Sequence, residues 1–302
     1  MPRIESVPLH QFVGRIRKDG STPFAPEPGR YHFYLAIGCP YSHVIAIVLN
    51  LLGLDSAISQ SLVDDLRDAR GWAFRPLRGP DPINGFAFLS DAYMASRPSF
   101  VGHVSCPTLW DRRTAQVVSN DSHEIVVDLI TQFDEIATET VDLYPENIRA
   151  DIDALSSRIL DEVGIATYLA GFSNDQADYA GKVHALFATL DELEERLGKG
   201  RFLFGDRLTE SDVRLWAILA RFDIAYHSLF RANLRRIIDF PNLWAYARDL
   251  YALPAFRTLS DFEAIKAVYW GMFPTLNPSG IVPVGPLLNW HAPSDRTAKA
   301  GI

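Results

Sequence analysis

Cys39 stands where a thiol has reason to react. It follows the strand-like run Tyr31-His32-Phe33-Tyr34-Leu35-Ala36-Ile37 and Gly38, and it precedes Pro40 and a stretch of helical character. A thiol at a helix N-terminus meets unpaired N–H groups and the positive end of the helix dipole. Both favour the thiolate, the form that acts as nucleophile. The plain alternative is a buried structural cysteine. The second cysteine, Cys106, precedes Pro107 at what reads as a strand start, a position that tolerates a missing N–H. It reads as a small apolar filler, with a resolving or modifiable thiol as the sharper alternative. Asp121 and Ser122 open a helix. A helix N-terminus attracts carboxylates, and an acidic side chain beside a hydroxyl and unpaired N–H groups suits a zwitterionic amino-acid head. The simpler role there is an ordinary N-cap. His43, one helical turn beyond Cys39, either assists its ionisation or is a satisfied polar group.

The elements that must position these residues follow from periodicity. A strand is expected over 31–37 and a helix over 41–52, with Pro40 in the first turn. From Val44 to Leu49 that helix is apolar all round, which predicts burial on several sides, and Gly53 supplies a stop. A second strand is expected over 58–63. Residues 12–30 read as irregular. Residues 65–105 are rich in Gly and Pro and predict a long insertion with one short helix near 91–95. A β-hairpin is expected over 106–120. A helix follows from Asp121, with Ile125, Val126, Leu129, Ile130 and Phe133 on one face. Beyond Asp142-Leu143-Tyr144-Pro145 the pattern is wholly helical: 148–159, 182–197, 209–219, 243–250 and 261–270, then a Pro/Gly coil over 277–286. Thr209 with Asp212 three positions on resembles a capping box, which makes Asp212 structural. The expected architecture is an α/β domain over 1–143 and an all-α domain over 144–302.

Composition narrows the function classes. The 302 residues carry 29 Lys+Arg against 37 Asp+Glu, a net charge of −8, which argues against nucleic-acid or anionic-membrane surfaces. Two cysteines make neither a disulfide framework nor an all-cysteine zinc site. Residues 1–11 show no apolar signal core. The longest apolar stretch, 44–54, falls short of the roughly 20 residues that span a bilayer. A cytoplasmic protein is expected.

Taken in order, the segments resemble a known family. Cys39-Pro40-Tyr41-Ser42, Gly71-Trp72 with Phe74, Pro80-Asp81-Pro82-Ile83-Asn84-Gly85, Ser105-Cys106-Pro107-Thr108-Leu109-Trp110-Asp111 and Ser119-Asn120-Asp121-Ser122-His123-Glu124-Ile125 are similar to motifs of the Xi class of glutathione transferases, the glutathionyl-hydroquinone reductases. Ala170-Gly171-Phe172, the run from Leu208 to Leu215, Arg221-Phe222-Asp223, the run from Tyr246 to Tyr251 and residues 277–286 continue the match. The resemblance implies a thioredoxin-like N-terminal domain, an all-helical C-terminal domain, a cis Pro107 facing Cys39, and a homodimer. It implies that Cys39 is the nucleophile, that Trp72, Cys106 and Pro107 line the thiol site, and that Asp121 and Ser122 hold the γ-glutamyl head. It gives Tyr168 and Tyr269 catalytic places near the hydroquinone oxygens. Glutathione is the implied co-substrate, with no metal or nucleotide. Tyr41, Ser42, His43 and Asp121 depart from the family pattern, as do Ala264 and Val268 at its two histidine positions and Trp270 at its second tyrosine. These departures keep mycothiol open as the thiol, and a non-catalytic ligand-binding protein open as the function.

Overall fold

The computed structural model describes residues 10–296; residues 1–9, and so most of the segment read as lacking a signal, lie outside the described residues. The chain divides into two compact units, Met1–Val141 and Asp142–Ile302.

The first unit is built on a four-stranded sheet in the order β2-β1-β3-β4. Strand β1 (Tyr31–Leu35) is buried at all five positions. It pairs in parallel with β2 (Ser59–Leu62) and antiparallel with β3 (Thr108–Asp111), which pairs with β4 (Gln116–Ser119). Parallel neighbours require a crossover, and helix α1 (Pro40–Leu51) supplies it. Its Val44, Ile45, Ile47, Val48 and Leu49 are all buried, as an all-apolar helix requires. Gly53 ends the turn after α1 at φ +63, and a Cβ there would collide with the Thr138 side chain, so any other residue is strained at this position. Buried His32 on β1 has both ring nitrogens 2.8 Å from hydroxyls of β2, those of Ser59 and Ser61. Helix α2 (Leu89–Ser96) lies within the insertion, and α3 (Ser122–Gln132) follows β4.

The insertion is ordered by a carboxylate. Buried Asp81 accepts hydrogen bonds from the N–H groups of Ile83, Asn84 and Phe86 and from the Tyr34 hydroxyl of β1. Helix α2 begins two residues before its expected start because Asp91 accepts from the N–H groups of Ala87 and Phe88 and caps it.

Residues 12–30 form no helix or strand, yet they are firmly held. The Gly14 N–H donates to Val118 and the Asn120 N–H donates to Phe12, so the extension covers the edge strand β4. A Cβ on Gly14 would meet the Val118 carbonyl at 2.6 Å. Asp128 of α3 fastens the same segment. It accepts from the Ile16 N–H at 2.8 Å, from Arg15 at 2.7 Å and from Arg17 at 2.5 Å.

The second unit is helical. Helix α4 (Arg149–Arg158) passes through a π-helical segment (Ile159–Ile165) into α5 (Ala166–Gly171). The expected helix over 148–159 therefore continues twelve residues further. Helix α6 (Gln176–Lys199) begins six residues before its expected start, capped by Asp175 on the Asp178 N–H. Helix α7 (Glu210–Arg221) is buried at every position and runs into a second π segment, Phe222–Tyr226, and the short α8 (His227–Leu229). Helices α9 (Pro241–Ala252), α10 (Pro254–Thr258) and α11 (Phe262–Met272) complete the unit. Asp212 is structural: it caps α7 through Thr209 and also accepts from the Leu203 N–H and the Tyr246 hydroxyl. The coil after α11 is pinned by Trp290, stacked on Phe262 at 4.7 Å, and by fully buried Arg296, which donates to the carbonyls of Leu197, Gly200 and Arg201.

Candidate active site

In the first unit Cys39 is the N-cap of α1, with extended backbone, and Pro40 occupies the first helical position. The Cys39 carbonyl accepts the first helical bond, from the His43 N–H at 3.1 Å. The side chain is partly exposed. Its Sγ lies 3.2 Å from the carbonyl oxygen of Cys106, to which the thiol donates. The Cys106–Pro107 peptide bond is cis. The structure thus sets the two cysteines side by side, although 67 positions separate them. Cys106 is buried, and burial together with the Cys39 charge pushes its thiol well above the usual range; Arg67 pulls weakly the other way.

The remaining thiol-site candidates sit on flanking elements. Trp72 is buried in the insertion, where its carbonyl accepts from the Leu89 N–H that starts α2. Asp121 is the N-cap of α3: one carboxylate oxygen accepts from the N–H groups of His123 and Glu124 at 3.0 and 3.3 Å. Asp121 and Ser122 both remain partly exposed. Glu124, whose own N–H is the second that Asp121 accepts, pairs through its side chain with Arg15 of the extension.

In the second unit the two tyrosines singled out in the sequence meet. Tyr168 on α5 and Tyr269 on α11 have hydroxyl oxygens 2.7 Å apart. A third phenol, Tyr226, lies 3.1 Å from the Tyr269 oxygen. Tyr226 was missed by sequence reasoning. It closes the π segment that follows α7, so no 3.6-residue period points to it. The other π segment leads into α5 and Tyr168, so both irregular turns border this cluster. Phe230 and Phe273 pack around it, with the Phe230 ring 4.7 Å from that of Tyr168. Burial, then the neighbouring phenols, raises the Tyr168 pKa well above its ordinary value, with buried Arg221 opposing. Tyr168 is therefore a protonated donor at neutral pH. Three hydroxyls in a chain use two protons on their two links, which leaves one O–H proton for an acceptor beyond the trio. Trp270, at the position of the family's second tyrosine, is fastened by its indole N–H to the Ile224 carbonyl.

Among the described residues, no group of three His, Cys, Asp or Glu side chains could hold a metal ion, and no helix is long and apolar enough to cross a membrane.

A mixed four-stranded sheet with a thiol at the first helix and a cis-proline opposite, followed by a helical unit, defines the class. The chain matches the family models for the glutathione S-transferase N-terminal domain over residues 38–132 and C-terminal domain over residues 176–249. Glutathionyl-hydroquinone reductase PcpF of Sphingobium chlorophenolicum is 40% identical over 87% of this chain and 85% of its own. A Xi-class glutathione transferase structure from Natrialba magadii superposes with a TM-score of 0.94 at 37% identity, covering 96% of this chain and 92% of its own. The glutathione-bound structure of YqjG from Escherichia coli K-12 gives 0.92 at 35% identity, covering 95% and 96%. The chain belongs to the Xi class of the glutathione S-transferase family, the class of the glutathionyl-hydroquinone reductases.

Proposed function

We propose that this enzyme is a glutathione-dependent reductase of S-glutathionylated hydroquinones and related aryl thioethers, acting through a mixed disulfide on Cys39. One observation carries the proposal: the Cys39 sulfur sits at the N-terminus of α1 and against the main chain of Cys106, beside cis Pro107. The Cys39 thiolate attacks the thioether sulfur of the conjugate. The carbon–sulfur bond breaks, its electrons pass to the ring carbon, and that carbon takes a proton to give the hydroquinone. A second glutathione thiolate attacks the glutathionyl sulfur of the adduct, which releases glutathione disulfide and returns Cys39 as thiolate. The net change is conjugate plus thiol to hydroquinone plus disulfide.

The other residues take supporting roles. Trp72, Cys106 and Pro107 line the thiol site, and the main chain of Cys106 pairs with the cysteine of glutathione. Asp121 and Ser122, at the positive end of α3, hold the γ-glutamyl amino-acid head. Tyr168 and Tyr269 hold and protonate the substrate oxygens that permit the cleavable tautomer, a general-acid contribution of about 10²–10⁴-fold. Glutathione is favoured over mycothiol because a carboxylate beside a helix N-terminus suits an α-amino acid head, and because a structural relative is described as glutathione-bound. We further propose a homodimer working in the cytoplasm, where the glutathione pool keeps thiols reduced. Light scattering on the purified chain tests the dimer.

The decisive experiment is turnover of a glutathionyl-hydroquinone by wild type and Cys39→Ala, with glutathione or mycothiol as the second thiol. Loss of turnover in the variant and ping-pong kinetics with glutathione are expected. Turnover retained by Cys39→Ala refutes the nucleophile, and turnover with mycothiol alone refutes the thiol.

A further inference from the structure

We propose that Cys39 and Cys106 form a dithiol–disulfide couple in which Cys106 is an internal resolving thiol for the mixed disulfide on Cys39. The proposal rests on Cys39 being the thiol that accepts glutathione. The chain has two cysteines in 302 residues, and the fold places the sulfur of one 3.2 Å from the main chain of the other. A disulfide joins residues whose Cα atoms lie roughly 4.4–6.8 Å apart, and the contact of the Cys39 sulfur with the Cys106 main chain brings the two residues close. Cys106 is also held in place. It enters β3 directly, and Tyr93 of α2 hydrogen bonds on either side of it, to the Ser105 carbonyl and the Thr108 hydroxyl.

Exposure assigns the order of events. Cys39 is partly exposed and Cys106 is buried, so a bulky disulfide reagent reaches Cys39 first. Electrostatics adds to this order. Burial, and after it a charge on Cys39, keeps Cys106 protonated, so Cys106 is the slower thiol to react from outside; adduct formation removes the Cys39 charge and leaves burial and the Arg67 cation. The Cys106 thiolate then attacks the Cys39 sulfur, the bond from that sulfur to glutathione breaks, and glutathione leaves as thiolate to take up the proton that Cys106 lost. The product is a Cys39–Cys106 disulfide, and two equivalents of a low-molecular-weight thiol return it to the dithiol. The enzyme would then shed its first glutathione before a second one binds.

The test treats the full-length protein, wild type and Cys106→Val, with glutathione disulfide. Intact mass is then read without reductant, and the remaining thiols are alkylated after denaturation. The expected wild type shows no lasting glutathione adduct, no alkylatable thiol, and a peptide pair linked through Cys39 and Cys106. The Cys106→Val protein keeps an adduct on Cys39 at least about tenfold longer, because the intramolecular attack is gone. A wild-type adduct as long-lived as the variant's, with Cys106 still alkylatable, overturns the couple and leaves Cys39 as the glutathione acceptor. Absence of both adduct and disulfide overturns the couple and the Cys39 assignment together. The wild-type thiol count decides even if Cys106→Val folds poorly.

Discussion

The phenolic oxygens of Tyr168 and Tyr269 lie 2.7 Å apart across 101 positions of sequence, and Tyr226 extends the pair to a chain of three. Tyr226 and Tyr269 are almost fully buried, whereas Tyr168 is partly exposed, so Tyr168 is the open end of the chain. If Tyr168 gives a proton to substrate, as proposed, Tyr269 and then Tyr226 stand behind it to replace that proton.

Replacing each tyrosine by Phe keeps the ring and removes one link. Tyr269→Phe, which breaks both links, is expected to lower kcat on a glutathionyl-hydroquinone by about 10²-fold or more. Tyr226→Phe, at the closed end, loses about tenfold, the worth of one neutral hydrogen bond. The rate at which glutathione disulfide modifies Cys39 stays at the wild-type value in both. An equal slowing of that modification means the tyrosines only hold the helical unit together.

Asp121 caps α3, and different substitutions separate that role from the proposed hold on the γ-glutamyl head. Asn caps a helix about as well as Asp, so Asp121→Asn is expected to change stability by less than about 0.5 kcal/mol, whereas Asp121→Ala costs about 1 kcal/mol. If the carboxylate also binds the amino group of glutathione, Asp121→Asn raises KM for glutathione by about tenfold, the worth of a charge-assisted bond. Steady-state kinetics and urea denaturation give both quantities. An unchanged KM in the Asn variant reduces Asp121 to a cap.

The clamp on Asp128 predicts a local effect. Its side chain is almost fully buried and accepts from Ile16, Arg15 and Arg17, while the two arginines are about a quarter exposed. Asp128→Ala is expected to cost about 2 kcal/mol, less than a fully buried pair because water recovers part of the arginine charge. Trypsin should then cut after Arg15 or Arg17 well before the rest of the unit. Cleavage there at the wild-type rate would mean the pairing with β4 alone retains the extension.

His32 gives the first unit a pH dependence. Burial lowers its pKa from 6.5 to about 4, so the folded chain resists protonation that the unfolded chain accepts. The resulting stability is fully present above about pH 6.5 and is lost as pH falls towards 4, up to about 3 kcal/mol. His32→Gln should flatten the slope of unfolding free energy over that window. Parallel curves for the two proteins would assign the acid sensitivity elsewhere.

What the chain discloses locally differs from what it discloses only when folded. Strand β1, Gly38, Cys39, Pro40 and α1 are legible because each signal acts on its neighbours: an aromatic run, a proline at the first helical position and an apolar helix. Short strands and the capping box of Thr209 and Asp212 are legible for the same reason. The first turn of α6 was missed because Gln176-Ala177-Asp178-Tyr179-Ala180-Gly181 shows no apolar period, although Asp175 caps it. The π segments obey a different period and so hid Tyr226. The hold on residues 12–30 depends on Asp128, more than 110 positions away, and no spacing rule connects them. The family and its fold were legible through many short motifs in a fixed order, each weak by itself.

Arg296 sets a schedule for synthesis. It supplies hydrogen bonds to carbonyls at the end of α6, among them Leu197, which lies 99 residues upstream. A ribosome makes α6 long before it makes that arginine. At elongation rates of about 5–20 residues per second, the nascent α6 waits several seconds with those carbonyls met only by water. The helical unit therefore reaches its final hydrogen-bond complement only once the coil beyond α11 has emerged.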